Sequence, residues 1–127
     1  DSVVDEIVRF IPSSSTNHYE IFVVGGISSS NFVYNINDPV YGETNRKIFY
    51  YLNNNFGRDA VPRNTAKGNI SLFGIIRCQF ERYGFDPDKV VSDGLNTFSD
   101  PKLWSHYEEH LHSKEGLERN CVLIIHK

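Results

Sequence analysis

Between His18 and Val24 the chain reads His-Tyr-Glu-Ile-Phe-Val-Val and then stops on Gly25-Gly26. Tyr19, Ile21, Phe22, Val23 and Val24 are β-formers, and their near-continuous apolar character is that of a strand covered on both faces. Such a strand demands layers around it, so this segment points to a sheet packed with helices. The periodicities on either side supply candidates. Val3, Val4, Ile7, Val8 and Ile11 fall on one helical face, with Ser2 placed to cap the start and Pro12 to end it. Ile48, Tyr51, Leu52 and Phe56 recur at helical spacing from Glu43 to Gly57, a natural stop. Leu72, Ile75, Ile76, Gln79, Phe80 and Tyr83 mark a further helix from Ser71 to Gly84, although Asn69 to Ile76 is also readable as a strand. Asp100-Pro101 has the form of a cap followed by Pro at the first helical position, opening a helix through Ser113.

Further strands are expected in two places. Phe32, Tyr34 and Ile36 alternate with Asn31, Val33 and Asn35, which suggests a hairpin with the first strand across the Gly-Ser turn. Cys121 to His126 forms a terminal β run. No internal repeat or domain boundary is visible. The expected architecture is one domain over residues 1–127, of α/β or α+β class, sandwich-like, with a small mixed sheet of about three to five strands and about four helices. The chain contains no Met, and on that ground it reads as a piece of a longer protein.

Bulk properties remove several functions. The formal net charge is −3, and the basic residues are scattered, which argues against general nucleic-acid binding, where a surplus of Lys and Arg neutralises phosphate. No apolar run approaches the roughly 18 residues of a membrane span. Asp1 to Arg9 alternates acidic and apolar groups and lacks the pattern of a signal peptide, so a cytoplasmic setting is expected. Two cysteines, Cys78 and Cys121, are too few for a disulfide scaffold and read as buried free thiols.

Three patterns carry possible chemistry. His106-Tyr107-Glu108-Glu109-His110 matches H-x-x-E-H, in which two histidines one helical turn apart ligate zinc and the glutamate activates a bound water. The pattern still needs a third protein ligand. Glu115 and Glu118 are the nearest carboxylates that follow, so a solvated helix face opposite Leu103, Trp104, Tyr107 and Leu111 is the preferred reading of His106, Glu109 and His110. A nucleophilic cysteine needs a neighbouring histidine. His126 lies five positions after Cys121, an odd offset that on one strand points them to opposite faces, so any pair would have to form across elements. Third, Gly25, Gly26, Ser28, Ser29 and Ser30 follow the strand and could cradle an anion on backbone amides and hydroxyls. The segment has no basic residue and no dinucleotide or P-loop signature, so a tight turn with a Gly at positive φ is preferred.

The helix at Val3 to Ile11, the strand at Tyr19 to Val24, Gly25-Gly26, and Gly42-Glu43-Thr44-Asn45 opening a helix that runs to Phe56-Gly57 stand in a suggestive order. That order resembles the second half of the chemoreceptor glutamine deamidases, in which a helix feeds a strand ending in a glycine pair and a later helix opens with Gly-x-x-Asn. The resemblance covers under half of the chain. It implies a cysteine-dependent amide hydrolase scaffold, but the family's Gly-Ser-Cys segment and histidine precede the glycine pair, and nothing equivalent precedes Gly25 here.

With no complete catalytic constellation and no cofactor fingerprint, the sequence is read as a non-catalytic interaction or ligand-binding domain of a larger cytosolic protein. Its partner would be a protein or a small polar ligand, with no cofactor. The alternatives are a cysteine-dependent amide hydrolase or deamidase, and a zinc-binding domain using the H-x-x-E-H segment.

Overall fold

The computed structural model describes residues 2–11, 16, 18–62, 68–100 and 102–103. In chain order the helices and strands are α1 (Val3–Val8), β1 (Ile21–Val23), α2 (Gly42–Ala60), α3 (Leu72–Arg82) and β2 (Val90–Ser92), with a short 3-10 turn at Pro87–Lys89 before β2. β1 and β2 pair in parallel, Ile21 against Val90, Phe22 against Val91 and Val23 against Ser92. Parallel neighbours cannot be joined by a hairpin, and the long connection between them contains both α2 and α3.

The core lies between the two-stranded sheet and helices α1 and α3. Val4, Phe80, Phe85 and Val90 are buried together, and Val8, Ile11, Ile21, Val23, Phe73 and Ile76 pack against them. Phe80 and Phe85 meet edge to face with ring centroids 5.2 Å apart, the arrangement favoured by the ring quadrupoles. α1 is positioned by a capping box: the Ser2 hydroxyl accepts from the Asp5 amide while the Asp5 carboxylate accepts from the Ser2 amide. The same carboxylate accepts a hydrogen bond from the Tyr83 hydroxyl at 2.7 Å, fastening α1 to the end of α3.

Helices α2 and α3 pack closely enough that position 74 admits no side chain. A methyl group on Gly74 would overlap the carbonyl oxygen of Asp59. Alongside this contact Arg77 pairs with Asp59 at 2.8 Å, and the Arg82 guanidinium lies 4.7 Å from the Phe56 ring centroid while donating to the Asn55 carbonyl. Gly57 interrupts α2 with φ 56°, after which a last turn closes through the Val61 amide donating to the Gly57 carbonyl.

Several expectations are corrected here. Among the described residues there are three α-helices and one two-stranded parallel sheet, not a mixed sheet of three to five strands with four helices. Residues 31–37 form no hairpin with β1; they make a single antiparallel bridge, Val33 to Asn69. The backbone groups of this segment are engaged elsewhere: the Asn31 and Phe32 amides both donate to the Ser28 carbonyl, the Tyr34 amide donates to the Gly68 carbonyl, and the Phe32 carbonyl accepts from the Ile70 amide. Asp38 Oδ1 accepts from the Val40 and Tyr41 amides at 2.9 and 2.7 Å in the turn that follows. β1 is also not covered on both faces: Ile21 and Val23 pack on the core, whereas Phe22 and Val24 are 66% and 50% exposed. On α1, only Val4, Val8 and Ile11 of the expected apolar face turn inward, with Val3 and Ile7 exposed. The helix expected from Asp100 to Ser113 and the terminal β run lie outside the described residues, apart from the first few positions of that helix. No helix among the described residues is long and apolar enough to cross a membrane.

Candidate functional site

Because β1 and β2 run parallel, their carboxyl ends open at the same place, the position where open parallel sheets commonly receive ligands. A solvent-open cleft of about 430 Å³ lies there. From the β1 side it is lined by Val23 and Val24 and by the loop from Gly25 to Ser29, and from the β2 side by Ser92, Gly94 and Leu95. The first residues of α3 complete it, with Ser71, Leu72, Phe73 and Ile76. The wall is therefore an apolar surface interrupted by four serines, and no charged side chain lines it among the described residues.

Local chemistry dictates this shape. Gly25 and Gly26 have φ 70° and 116°, backbone that side-chain-bearing residues rarely adopt, and they swing the chain off the end of β1. The loop then rests on the segment following β2. Asp93 Oδ2 accepts from the Gly25 amide at 2.9 Å while its Oδ1 accepts from the Leu95 amide at 3.0 Å. The Thr97 amide donates to the Gly26 carbonyl at 2.7 Å, and Thr97 itself is buried. Asn96 is the hub of the contact: its Oδ1 accepts from the Ser28 and Phe98 amides at 3.0 and 3.2 Å, and its Nδ2 donates to Asn31 Oδ1 at 2.9 Å. On the other flank Asn69 Nδ2 donates to the Ser29 carbonyl at 2.7 Å. At the mouth of α3 the Ser71 hydroxyl accepts from the Gly74 amide at 3.0 Å, an N-cap that fixes the first helical turn.

The residues singled out in the sequence are distributed as follows. Gly25, Gly26, Ser28 and Ser29 line the cleft, and Ser30 stands beside it with its hydroxyl donating to Asn31 Oδ1 at 3.1 Å. Cys78 is a half-buried free thiol on α3, two residues past Ile76, and is not a lining residue. His106, Glu109 and His110, the H-x-x-E-H positions, lie outside the described residues, as does Cys121. Among the described residues no group of three or more His, Cys, Asp or Glu is arranged to hold a metal ion.

Sequence reasoning missed the second half of the cleft. Ser92, Gly94 and Leu95, with Asp93 and Asn96 that bond the facing loop, belong to a strand end that only its pairing with β1 reveals. The signal was present but short: Val90-Val91 followed by Ser92-Asp93-Gly94 is a pair of β-branched residues running into turn formers. Ser71 was recognised as the start of a helix but not as part of a cleft, since its place there depends on where α3 lies against the sheet. Comparison of the chain with protein-family models, with curated proteins and with solved structures finds no match in any of the three, so the likeness of the first 57 residues to the glutamine deamidases rests on its short motifs alone.

Proposed function

We propose that this chain is a non-catalytic ligand-binding domain that holds a small polar molecule in the cleft at the carboxyl ends of β1 and β2. The observation that carries this reading is the convergence of three separate segments, residues 25–29, residues 71–73, and Ser92 with Gly94 and Leu95, on one cavity of about 430 Å³. That size suits a small organic ligand, and an apolar wall with a few fixed polar groups is the usual composition of such sites. The loops are held in place by Asp93, Asn96 and Asn69 through side-chain bonds to backbone, so the cleft is preorganised and little ordering cost falls on binding. The cysteine-dependent reading gains no support from this cavity, because Cys78 is not one of its lining residues.

The test is amide-resolved NMR of the protein titrated with a panel of small uncharged molecules bearing hydroxyl or carboxamide groups on an apolar ring. Binding at this site shifts the amides of Gly25, Gly26, Ser28, Ser29, Leu72 and Phe73 together and saturably. A panel that leaves those amides unmoved would reject the proposal.

A further inference from the structure

Asn69-Ile70-Ser71 matches N-x-[ST] with a residue other than Pro in the middle, the acceptor pattern for an N-linked glycan, and no other position in the chain does. Transfer to such a tripeptide needs the Asn carboxamide nitrogen free to attack and the hydroxyl two residues on free to be recognised. The fold uses both groups itself. Asn69 Nδ2 donates to the Ser29 carbonyl at 2.7 Å and to the Ser30 carbonyl at 3.3 Å. The Ser71 hydroxyl accepts from the Gly74 amide at 3.0 Å as the N-cap of α3. The backbone of the tripeptide is engaged as well. Asn69 bridges to Val33, the Ile70 amide donates to the Phe32 carbonyl at 3.0 Å, and the Ser71 amide donates to the Ala60 carbonyl at 2.8 Å. Ile70, the middle residue, is 0% exposed.

We propose that Asn69 is a glycan acceptor only while this segment is unfolded, so that glycan transfer and closure of residues 69–71 on residues 29–33 exclude each other. In the transfer, Asn69 Nδ2 bonds to the anomeric carbon of a lipid pyrophosphate-linked oligosaccharide. The bond from that carbon to the pyrophosphate oxygen breaks, the lipid pyrophosphate leaves, and one amide proton passes to a base on the transferase. The product keeps a single N–H on a nitrogen that, in the folded chain, lies within hydrogen-bond distance of two adjacent carbonyls. The bulky sugar must then share the half-buried space around Asn69 with the Ser29–Ser30 backbone. The order of events decides the outcome. A chain that folds first stays unmodified, and a chain modified first loses the tie that holds the Ser29 flank of the loop.

The full chain and Phe80→Ala, held at a temperature where circular dichroism shows only the variant unfolded, are each incubated with an oligosaccharyltransferase and its lipid-linked oligosaccharide. Mass spectrometry follows addition at Asn69. The expected rate is at least about ten-fold higher on the unfolded variant, because transfer to the folded chain must wait for the segment to open. Equal rates on the two chains overturn the proposal. So does transfer to neither, which removes Asn69 as an acceptor. Asn69→Asp tests the tie without any sugar, since it keeps the side-chain shape and removes the donor. The amides of Ser29 and Ser30 should shift in NMR and the urea midpoint should fall. Unmoved amides with an unchanged midpoint overturn the proposal from that side. Should no temperature separate Phe80→Ala from the unaltered chain, Gly74→Val, whose side chain overlaps the Asp59 carbonyl, takes its place as the unfolded substrate.

Discussion

Beneath the sheet, Val4, Phe80, Phe85 and Val90 are shut away from water and touch one another through apolar surface; beyond its carboxyl ends, residues 25–31 and 93–98 meet almost wholly through hydrogen bonds. The first region is cemented by a non-directional force that rewards area. Each such side chain contributes about 2 kcal/mol by leaving water. In the second region every bond has replaced a bond to water, so each contributes only about 1 kcal/mol net, but it fixes direction. The contrast teaches a division of labour: the core holds the strands together, and the polar loops set the shape of the space at their ends.

Removing Phe80 strikes the comparison hardest. Phe80→Ala leaves a cavity where two rings met edge to face, and the expected loss is about 3–5 kcal/mol, read as a lowered urea midpoint. Cleft and core should disappear together in that unfolding transition, because the strand ends exist only while the core holds them. A cleft that persists after the core has melted would break the comparison.

Asn96→Ala should do the reverse. It leaves the Ser28 and Phe98 amides without their acceptor and Asn31 without its donor, at an expected cost of about 1–2 kcal/mol. The amide shifts of residues 25–31 should move strongly while those of α1 stay where they are. Uniform shifts across the whole domain would show that the two regions are not separable.

The smallest expected effect concerns the tie between α1 and α3. A hydrogen bond from the Ser2 amide, together with the Tyr83 hydroxyl, holds the Asp5 carboxyl below its ordinary value of 3.8. A carboxylate lowered on folding contributes stability above its unfolded value, and that contribution is lost as pH falls through the folded value. Tyr83→Phe removes part of it. The stability gap between the unaltered protein and Tyr83→Phe should therefore be widest near neutral pH and close as pH drops below 3.8, in urea unfolding measured as a function of pH. A gap that stays constant through the acid range would separate the Asp5–Tyr83 contact from stability altogether.

How much of this was legible beforehand depends on the range of the forces involved. Ser2 as a cap and α3 between Ser71 and Gly84 were readable because capping, helical periodicity and glycine stops act within a few residues, whereas Gly57, expected to end α2, only breaks it before a last turn to Ala60. The aromatic alternation of residues 31–37 misled for a related reason. The pattern fits a strand, yet the Asn31 and Phe32 amides turn back on the nearby Ser28 carbonyl, and Phe32 and Tyr34 bond Ile70 and Gly68 instead of β1. The run ending at Val24 was rightly a strand, but its apolar content overstated its cover, since only Ile21 and Val23 meet the core.

By itself, then, the sequence determined α1, β1, α2 and α3 as local elements and the glycine turn after β1, including Gly25, Gly26, Ser28 and Ser29 as residues of interest. Tertiary structure alone decided that β1 pairs in parallel with Val90–Ser92, that α3 brings Ser71 to the same strand ends, and that Asp93 closes on the Gly25 amide. Those partners stand far apart along the chain, 68 residues in the case of Gly25 and Asp93. No local periodicity encodes a contact across such a separation. It forms only when burial of Val4, Phe80, Phe85 and Val90 repays the entropy of closing the intervening loop.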